Sequence, residues 1–401
     1  MPRIIRILNR LAVGGPVLNA AYLTKYLAPE FETLLVVGEK EDHEQSAAYL
    51  TDALGIECVT IAGMGRSISP ASDFGAYLKL RKLIREYKPD IVHTHAAKPG
   101  AIGRLAASAE RVPVILHTFH GHVFHSYFST SKTKFIIGTE RLLARRTDAI
   151  VTISEQQRKE LAEDFRIAPP GKFRVIPLGF DLDKFTTGRE EKRSRFRREF
   201  GITDDEIAIG IVGRLVPVKN HELFLEALRH VLDKSTRKVK AFIIGDGETR
   251  ARLEARAKEL RISFNAVPAP ADQLVFTSWR SDVDVVYAAL DIVALTSVNE
   301  GTPVSLIEAQ ASNKPIVSTR VGGIADIVAE GKTGLLADVK DTATFCGHLL
   351  QLVEDNSLRQ RLGQNSSQHV LERFSYQRLM NDTSSLYRGL LQSKGKRPVN
   401  K

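Results

Sequence analysis

Two cysteines in 401 residues, Cys58 and Cys346, are too few and too far apart for a disulfide framework. Each sits in apolar or helical sequence and reads as a buried thiol of a reducing compartment. No run approaches the roughly 18 consecutive apolar residues of a membrane-spanning helix. The N-terminal MPRIIRILNRL is interrupted by arginines, too short for a signal peptide, and reads as a first strand. Zinc-finger spacing, an RNA-binding aromatic signature and a strong internal repeat are all missing, so nucleic acid is not an expected partner despite the net charge of +10. The Gly14-Gly15 pair in LAVGGPVLNAA falls short of GxGxxG, so a dinucleotide fingerprint is also absent. What remains is the expectation of a cytoplasmic globular protein, 43% hydrophobic and 26% charged, of two-domain length.

Short apolar runs alternate with helical patterns along the whole chain, which predicts parallel sheets wrapped by helices. Strands are expected at 3–9, 33–38, 58–62, 90–95, 113–118, 149–154 and 173–178, then at 207–213, 240–245, 274–278, 291–296, 315–319 and 334–338. This spacing gives an α/β protein of two doubly wound domains, 1–180 and 199–374, with the charge-rich 181–198 as the linker. A final helix is expected over 375–391. Ligands of open α/β sheets bind at the carboxyl ends of the strands, so two such domains facing each other would place them in a shared cleft.

The most informative stretch is SVNEGTPVSLIEA, directly after the apolar run DIVALTS. Thr302 suits the N-cap and Pro303 the first position of a helix, leaving the N–H groups of Val304 and Ser305 free for an anion. Glu300 stands in the loop beside that site and Glu308 about a turn and a half into the helix. A carboxylate would be repelled by phosphates, so each is expected to bind neutral hydroxyls. Sugar hydroxyls at both ends of a diphosphate describe a nucleotide sugar. Taken alone, the pair also reads as a solvated loop charge and an exposed helix residue.

Other strand ends add to this. Arg214 and Lys219, in GRLVPVKN, supply a guanidinium and an ammonium suited to a diphosphate and able to do the work of a divalent cation; two surface cations is the plainer reading. Gly245 makes a narrow turn in IIGDGETR, and Trp279 offers a flat face near where a base would sit. Six histidines cluster in VHTHAAKPG and HTFHGHVFH: His93, His95, His117, His120, His122 and His125. No cysteine or carboxylate shares the segment, so a metal is not expected there; His120, before Gly121 at a strand end, is the one expected to face a ligand. Asp282-Val283-Asp284 resembles a metal-holding Asp-x-Asp, but it opens a helical run and reads as negative charge at a helix N-terminus.

These motifs in this order resemble the family 4 retaining glycosyltransferases of GT-B architecture. Likeness runs from Arg3 to about Leu391 through the glycine pair, TFHG, PLGFDLDKF, GRLVPVKN, GDGETRARLE, NEGTPVSLIEA and PIVSTRVGGIADIV. It implies that Arg214 and Lys219 bind the donor diphosphate, and Glu308 the ribose. Glu300, with the backbone of Gly301, Thr302, Pro303, Val304 and Ser305, would hold the sugar and its phosphate. It also implies His120 against the sugar, Gly14 and Gly15 near diphosphate and acceptor, and a last helix that returns to the first domain. Thr302 and Pro303 replace the bulkier apolar pair of many relatives. HTFHGHVFHSYF resembles members that assemble bacterial surface polysaccharides.

The expected activity is transfer of a sugar from a nucleoside-diphosphate sugar, foremost a UDP-sugar, with retained anomeric configuration and with neither metal nor other cofactor. The expected acceptor is a saccharide or lipid-linked molecule. Two rivals differ in class: a non-hydrolysing UDP-sugar epimerase of the same shape, which needs acid/base carboxylates not evident in the first half, and a membrane- or nucleic-acid-binding protein on an inert fold. The runs 77–88 (Lys79, Arg81, Lys82, Arg85, Lys88) and 131–146 (Lys132, Lys134, Arg141, Arg145, Arg146) read either as solvated helix faces or as a peripheral contact with an anionic inner membrane face.

Overall fold

The computed structural model describes the chain apart from residues 12–14, 40–46, 66–68, 122–129, 266–268 and 396–401, and apart from the side chains of 130–132. It divides into two compact units, residues 1–180 with 374–401, and residues 181–373.

The first unit is a seven-stranded parallel sheet: β1 (Arg3–Leu8), β2 (Glu32–Gly38), β3 (Cys58–Ile61), β4 (Ile91–His95), β5 (Val114–Phe119), β6 (Ala149–Thr152) and β7 (Phe173–Val175), in the order β3-β2-β1-β4-β5-β6-β7. Sheets with helices on both faces bury both faces, so the strands read as continuous apolar runs. In β1, Ile4 joins one core with Leu116 and Leu391, while Ile5 and Ile7 join the other with Leu80 and Ile102. The helix Tyr376–Ser393 closes the first of these cores. Ser375 caps it by accepting from the Arg378 N–H, and its apolar stripe Leu379, Tyr387, Leu391 lies at helical spacing. Arg388 pairs with Glu30 at 2.5 Å.

The second unit repeats the plan with six parallel strands: β8 (Glu206–Val212), β9 (Lys238–Ile244), β10 (Leu274–Ser278), β11 (Ile292–Leu295), β12 (Ile316–Thr319) and β13 (Gly334–Ala337), in the order β10-β9-β8-β11-β12-β13. All thirteen expected strands are present, within a few residues at their ends.

The segment expected as a linker is instead part of the second unit. It holds the helices Asp183–Thr186 and Arg189–Glu199. Its charges are spoken for: Arg193 and Arg197 both bond Asp291, Lys192 pairs with Asp284, and Arg195 with Asp282. The longer helix has a single aromatic, Phe196, fully buried against Phe200 and Phe242. One ring and a set of ion pairs dock a helix that hydropathy alone reads as exposed.

Candidate active site

In both sheets the strand order reverses once, between β1 and β4 and between β8 and β11. At such a reversal the adjoining loops diverge and leave a crevice at the strands' carboxyl ends. Of the expected site residues of the second unit, all but Gly245, which follows β9, fall on the two loops flanking its reversal or on the helix after the second of them.

Lys219 ends the loop after β8 and Glu300 lies on the loop after β11; their charged ends meet at 2.5 Å. Glu300 also accepts from Ser297 Oγ at 2.5 Å. The two loops are stitched by backbone: Val298 N–H donates to Val218 O, and Thr296 Oγ1 to Lys219 O, both at 2.9 Å. Arg214 is exposed on the same loop. The Gly245 turn after β9 crosses closely below it. A Cβ there would stand 2.0 Å from Gly213 O, and its φ of +138° disfavours any side chain. Leu215 N–H then donates to Asp246 O and Gly245 N–H to Ser278 O, tying three strand-end loops together. Trp279 follows β10 and is 62% exposed.

The helix after β11 runs Val304–Ala311, with Pro303 just before it at ψ 100° and no side-chain cap. The expected Thr302 N-cap and Pro303 first turn are therefore displaced by one residue: the extended ψ of Pro303 delays the helix. Val304 and Ser305 remain in its first turn, where N–H groups have no carbonyl ahead of them. Gly301 is exposed, and a side chain added there would meet nothing within 4 Å. Pro303 is buried and Thr302 half-buried.

Glu308 is half-buried in the helix's second turn. Loss of hydration pushes its carboxyl up to about 7; Lys184 and the Tyr287 hydroxyl oppose that, and Asp284 adds to it. Asp282 and Asp284, the apparent Asp-x-Asp, open the helix Val283–Ala289 and are held in ion pairs with Arg280, Arg195 and Lys192.

The first unit gathers histidines on β4, which flanks its own reversal, and on the neighbouring β5 and its end. His93 and His95 share one face of β4 with rings 4.4 Å apart, and His95 Nδ1 lies 2.9 Å from His120 Nε2. His117 faces the other side, bonded to Thr94 Oγ1 at 2.9 Å. Burial pushes all four below the ordinary imidazole value, His120 to about 4. Gly15 begins the helix Gly15–Tyr26. Gly14, His122 and His125 lie outside the described residues. Among the described residues no group of three or more histidine, cysteine or acidic side chains is arranged to hold a metal.

Four contributors escaped the sequence reading: Ser297, Lys184, Tyr287 and Gly322. Gly322 has φ +51°, and a Cβ on it would fall 1.8 Å from Glu300 O; the next residue, Gly323, donates its N–H to that same oxygen at 3.2 Å. The signal was the glycine pair following β12, which marks a close backbone approach.

Twin doubly wound sheets, with a cation–carboxylate pair and a helix N-terminus at one reversal, form the scaffold of an enzyme that handles nucleotide sugars. Residues 13–184 match the model for Glycosyltransferase Family 4, and residues 192–369 that for Glycosyl transferases group 1. The chain is 32% identical over 321 residues to a D-inositol 3-phosphate glycosyltransferase of Corynebacterium jeikeium, covering 75% of this chain and 72% of that one. Over 340 residues it is 27% identical to the UDP-Gal:alpha-D-GlcNAc-diphosphoundecaprenol alpha-1,3-galactosyltransferase of Escherichia coli, covering 84% and 85%. In fold it is similar to Anabaena HepE, solved with UDP and glucose, at a TM-score of 0.78 and 18% identity over 97% of this chain and 100% of the other. The chain belongs to the family 4 glycosyltransferases of GT-B fold and transfers a sugar from a nucleotide-sugar donor.

Proposed function

We propose that the enzyme uses a UDP-sugar, retains the anomeric configuration, needs no metal ion, and extends a lipid-linked saccharide in cell-envelope polysaccharide synthesis. The observation that carries this reading is the Lys219–Glu300 pair at 2.5 Å beside the first turn of Val304–Ala311. A diphosphate would take Lys219 and Arg214 as counter-charges, and Glu300, released from Lys219, would accept from the sugar hydroxyls. Glu308 would accept from the ribose. His120 would contact the transferred sugar, and Gly14 and Gly15 the diphosphate and acceptor. The departing phosphate would take the acceptor's proton, and the enzyme's part is orientation and stabilisation of the leaving charge. The UDP-Gal-dependent relative that acts on a diphosphoundecaprenol acceptor supports both the donor and the lipid-linked acceptor.

Such an acceptor suits peripheral attachment to an anionic membrane at the cytoplasmic face. No helix among the described residues is long and apolar enough to cross a membrane. Of the basic runs, Arg81 and Arg85 are held by Glu110, and Arg141 by the carbonyls of Phe165 and Arg166. Lys79, Lys88, Lys134, Arg145 and Arg146 are exposed. Phe135 and Leu142, two turns apart on the helix Thr130–Arg145, are also exposed. Sedimentation should show binding to anionic vesicles that fades with salt and is absent with neutral lipid.

Lys219→Ala should weaken UDP binding by about 1.5–3 kcal/mol, the scale of a charged hydrogen bond. Glu300→Ala should lose turnover and keep UDP affinity. Unchanged UDP affinity in Lys219→Ala by calorimetry, complete loss of activity in EDTA, or epimer formation from a UDP-sugar without acceptor would overturn the reading.

A further inference from the structure

Residues 312–315 turn the chain tightly from the helix Val304–Ala311 into β12. Asn313 takes a left-handed φ of +58°, and the N–H groups of Asn313 and Lys314 donate back to Gln310 O and Ala309 O. The turn fixes where the Lys314 side chain starts. Lys314 is half-buried in an open pocket of about 630 Å³, whose other walls include Arg189, Glu190, Glu191 and Arg193. That volume is ample for a small metabolite. The pocket lies at the amino ends of β11 and β12, the opposite end of the sheet from the loop that carries Glu300.

Lys314 differs from Lys192, Lys219 and Lys238, which face carboxylates at 3.0, 2.5 and 2.8 Å. It differs also from Lys240, which is buried with its Nζ donating to three carbonyl oxygens and is closed to reagents. The one hydrogen bond of Lys314 Nζ among the described residues goes to Ala288 O at 2.8 Å. A carbonyl accepts from a neutral amine as well as from an ammonium, so this bond does not hold the charge in place. Of the acidic groups around it, Asp291 is already taken up by Arg193, Arg197 and the Ala208 N–H. Glu190 is exposed in the first turn of the helix Arg189–Glu199. Loss of hydration, with Arg193 and Arg189, lowers the Lys314 ammonium to about 8; Asp291 and Glu190 oppose that. At pH 7.5 about a quarter of such amines are free base, against about one in a thousand for an ordinary lysine.

The same cations draw an anionic reagent toward the amine. Arg189, half-buried, pairs with no carboxylate among the described residues and is open to an anion. We propose that Lys314 is a modification site that takes an acyl group from an acyl phosphate, whose phosphate Arg189 receives. The amine lone pair attacks the acyl carbon; the N–C bond forms and the bond from that carbon to the bridging oxygen breaks. Phosphate leaves with that electron pair, and the surplus proton on nitrogen passes to solvent. The product is a neutral amide that keeps one N–H for Ala288 O.

Acetyl phosphate is the probe. After brief exposure of the full-length enzyme at pH 7.5, peptide mass spectrometry should find Lys314 acetylated about tenfold faster than the exposed Lys79 and Lys88. Its larger free-base fraction is partly offset by the lower nucleophilicity of a weaker base, hence about tenfold rather than more. The rate at Lys314 should level off above about pH 8.5, where that of an ordinary amine still rises. Arg189→Gln tests the anion contact. It should slow labelling of Lys314 by acetyl phosphate severalfold more than labelling by p-nitrophenyl acetate, a neutral acyl donor. Labelling of Lys314 no faster than that of Lys79 and Lys88 overturns the site. An effect of Arg189→Gln that is equal for the two reagents overturns the acyl phosphate as its donor.

Discussion

Beside the reversal of the first sheet, on β4 and at β5, the histidines are neutral and buried: four imidazoles pushed below their ordinary value by the surrounding protein. At the reversal of the second they are ions on loops, Lys219 against Glu300, held by backbone bonds between loops and by glycines that let the chains approach. The same strand order thus supports two kinds of site. A charged group acts over several ångströms and needs its counter-charge placed; a neutral imidazole acts only along one N–H or lone pair and needs its proton placed. The ionic site depends on backbone shape and the neutral one on side-chain packing.

Acid should separate the two most strongly. The folded chain keeps the four histidines deprotonated below their unfolded value near 6.5, so the unfolded chain binds more protons there. Their stabilisation is complete above that value and is lost as pH falls toward the folded ones. Each adds up to about 1.4 kcal/mol per pH unit to the fall in that window, so the four act together in one direction. His221 in the second unit, lowered by burial to about 4, adds in the same direction. Glu308 opposes with one proton: its folded value is raised, so its contribution is full below about 4.5 and lost as pH rises through 7. Urea midpoints should drop steeply between pH 6.5 and 5. A level midpoint over that range would mean that the imidazoles are not held neutral.

A smaller effect tests the backbone side. Gly322→Ala introduces a Cβ against Glu300 O at a φ that resists side chains, and should cost about 2–3 kcal/mol while displacing Glu300 and lowering turnover. Gly138, in the helix Thr130–Arg145, has open space around its missing Cβ. Gly138→Ala should instead stabilise by about 0.5–1 kcal/mol and leave turnover unchanged. Equal tolerance at both sites in thermal melts and rates would remove the role assigned to the Gly322 approach.

The sheets were legible because buried parallel strands must be runs of Ile, Val, Leu and Ala, and such runs need no partner to be recognised. Arg214, Lys219 and Glu300 were legible as charges at strand ends, and Glu308 as a charge on the helix that follows. That Lys219 meets Glu300, 81 residues on, was not, since spacing along a chain carries no such contact. Residues 189–199 were misread because their arginines are satisfied by Asp291, Asp282 and other distant groups. His120 was legible as the histidine at a strand end, while its contact with His95, 25 residues back, was not.

The mildest test concerns Glu308, the one group of the ionic site that behaves like those of the other unit. Burial raises it to about 7, so at neutral pH it is about half protonated before donor binds. Two ribose hydroxyls need two accepting oxygens, which only the ionised carboxylate offers without a proton in the way. Donor binding should therefore release a proton, and affinity should rise as pH increases from 6 to 8, by up to about tenfold, then level off. A UDP-hexose is the suitable ligand, since its esterified diphosphate does not titrate in this range. Glu308→Gln should lower affinity and flatten the profile. Lys184→Met, which removes the cation that holds Glu308 down, should move the rise to higher pH. The imidazoles of the first unit have already lost their protons well below pH 6 and should leave the profile unmarked. Calorimetry across this range, in buffers of different ionisation enthalpy, reads both affinity and released proton. A level affinity from pH 6 to 8, or a rise that survives Glu308→Gln, would assign the titration to another group and return Glu308 to the ordinary carboxylates of a helix surface.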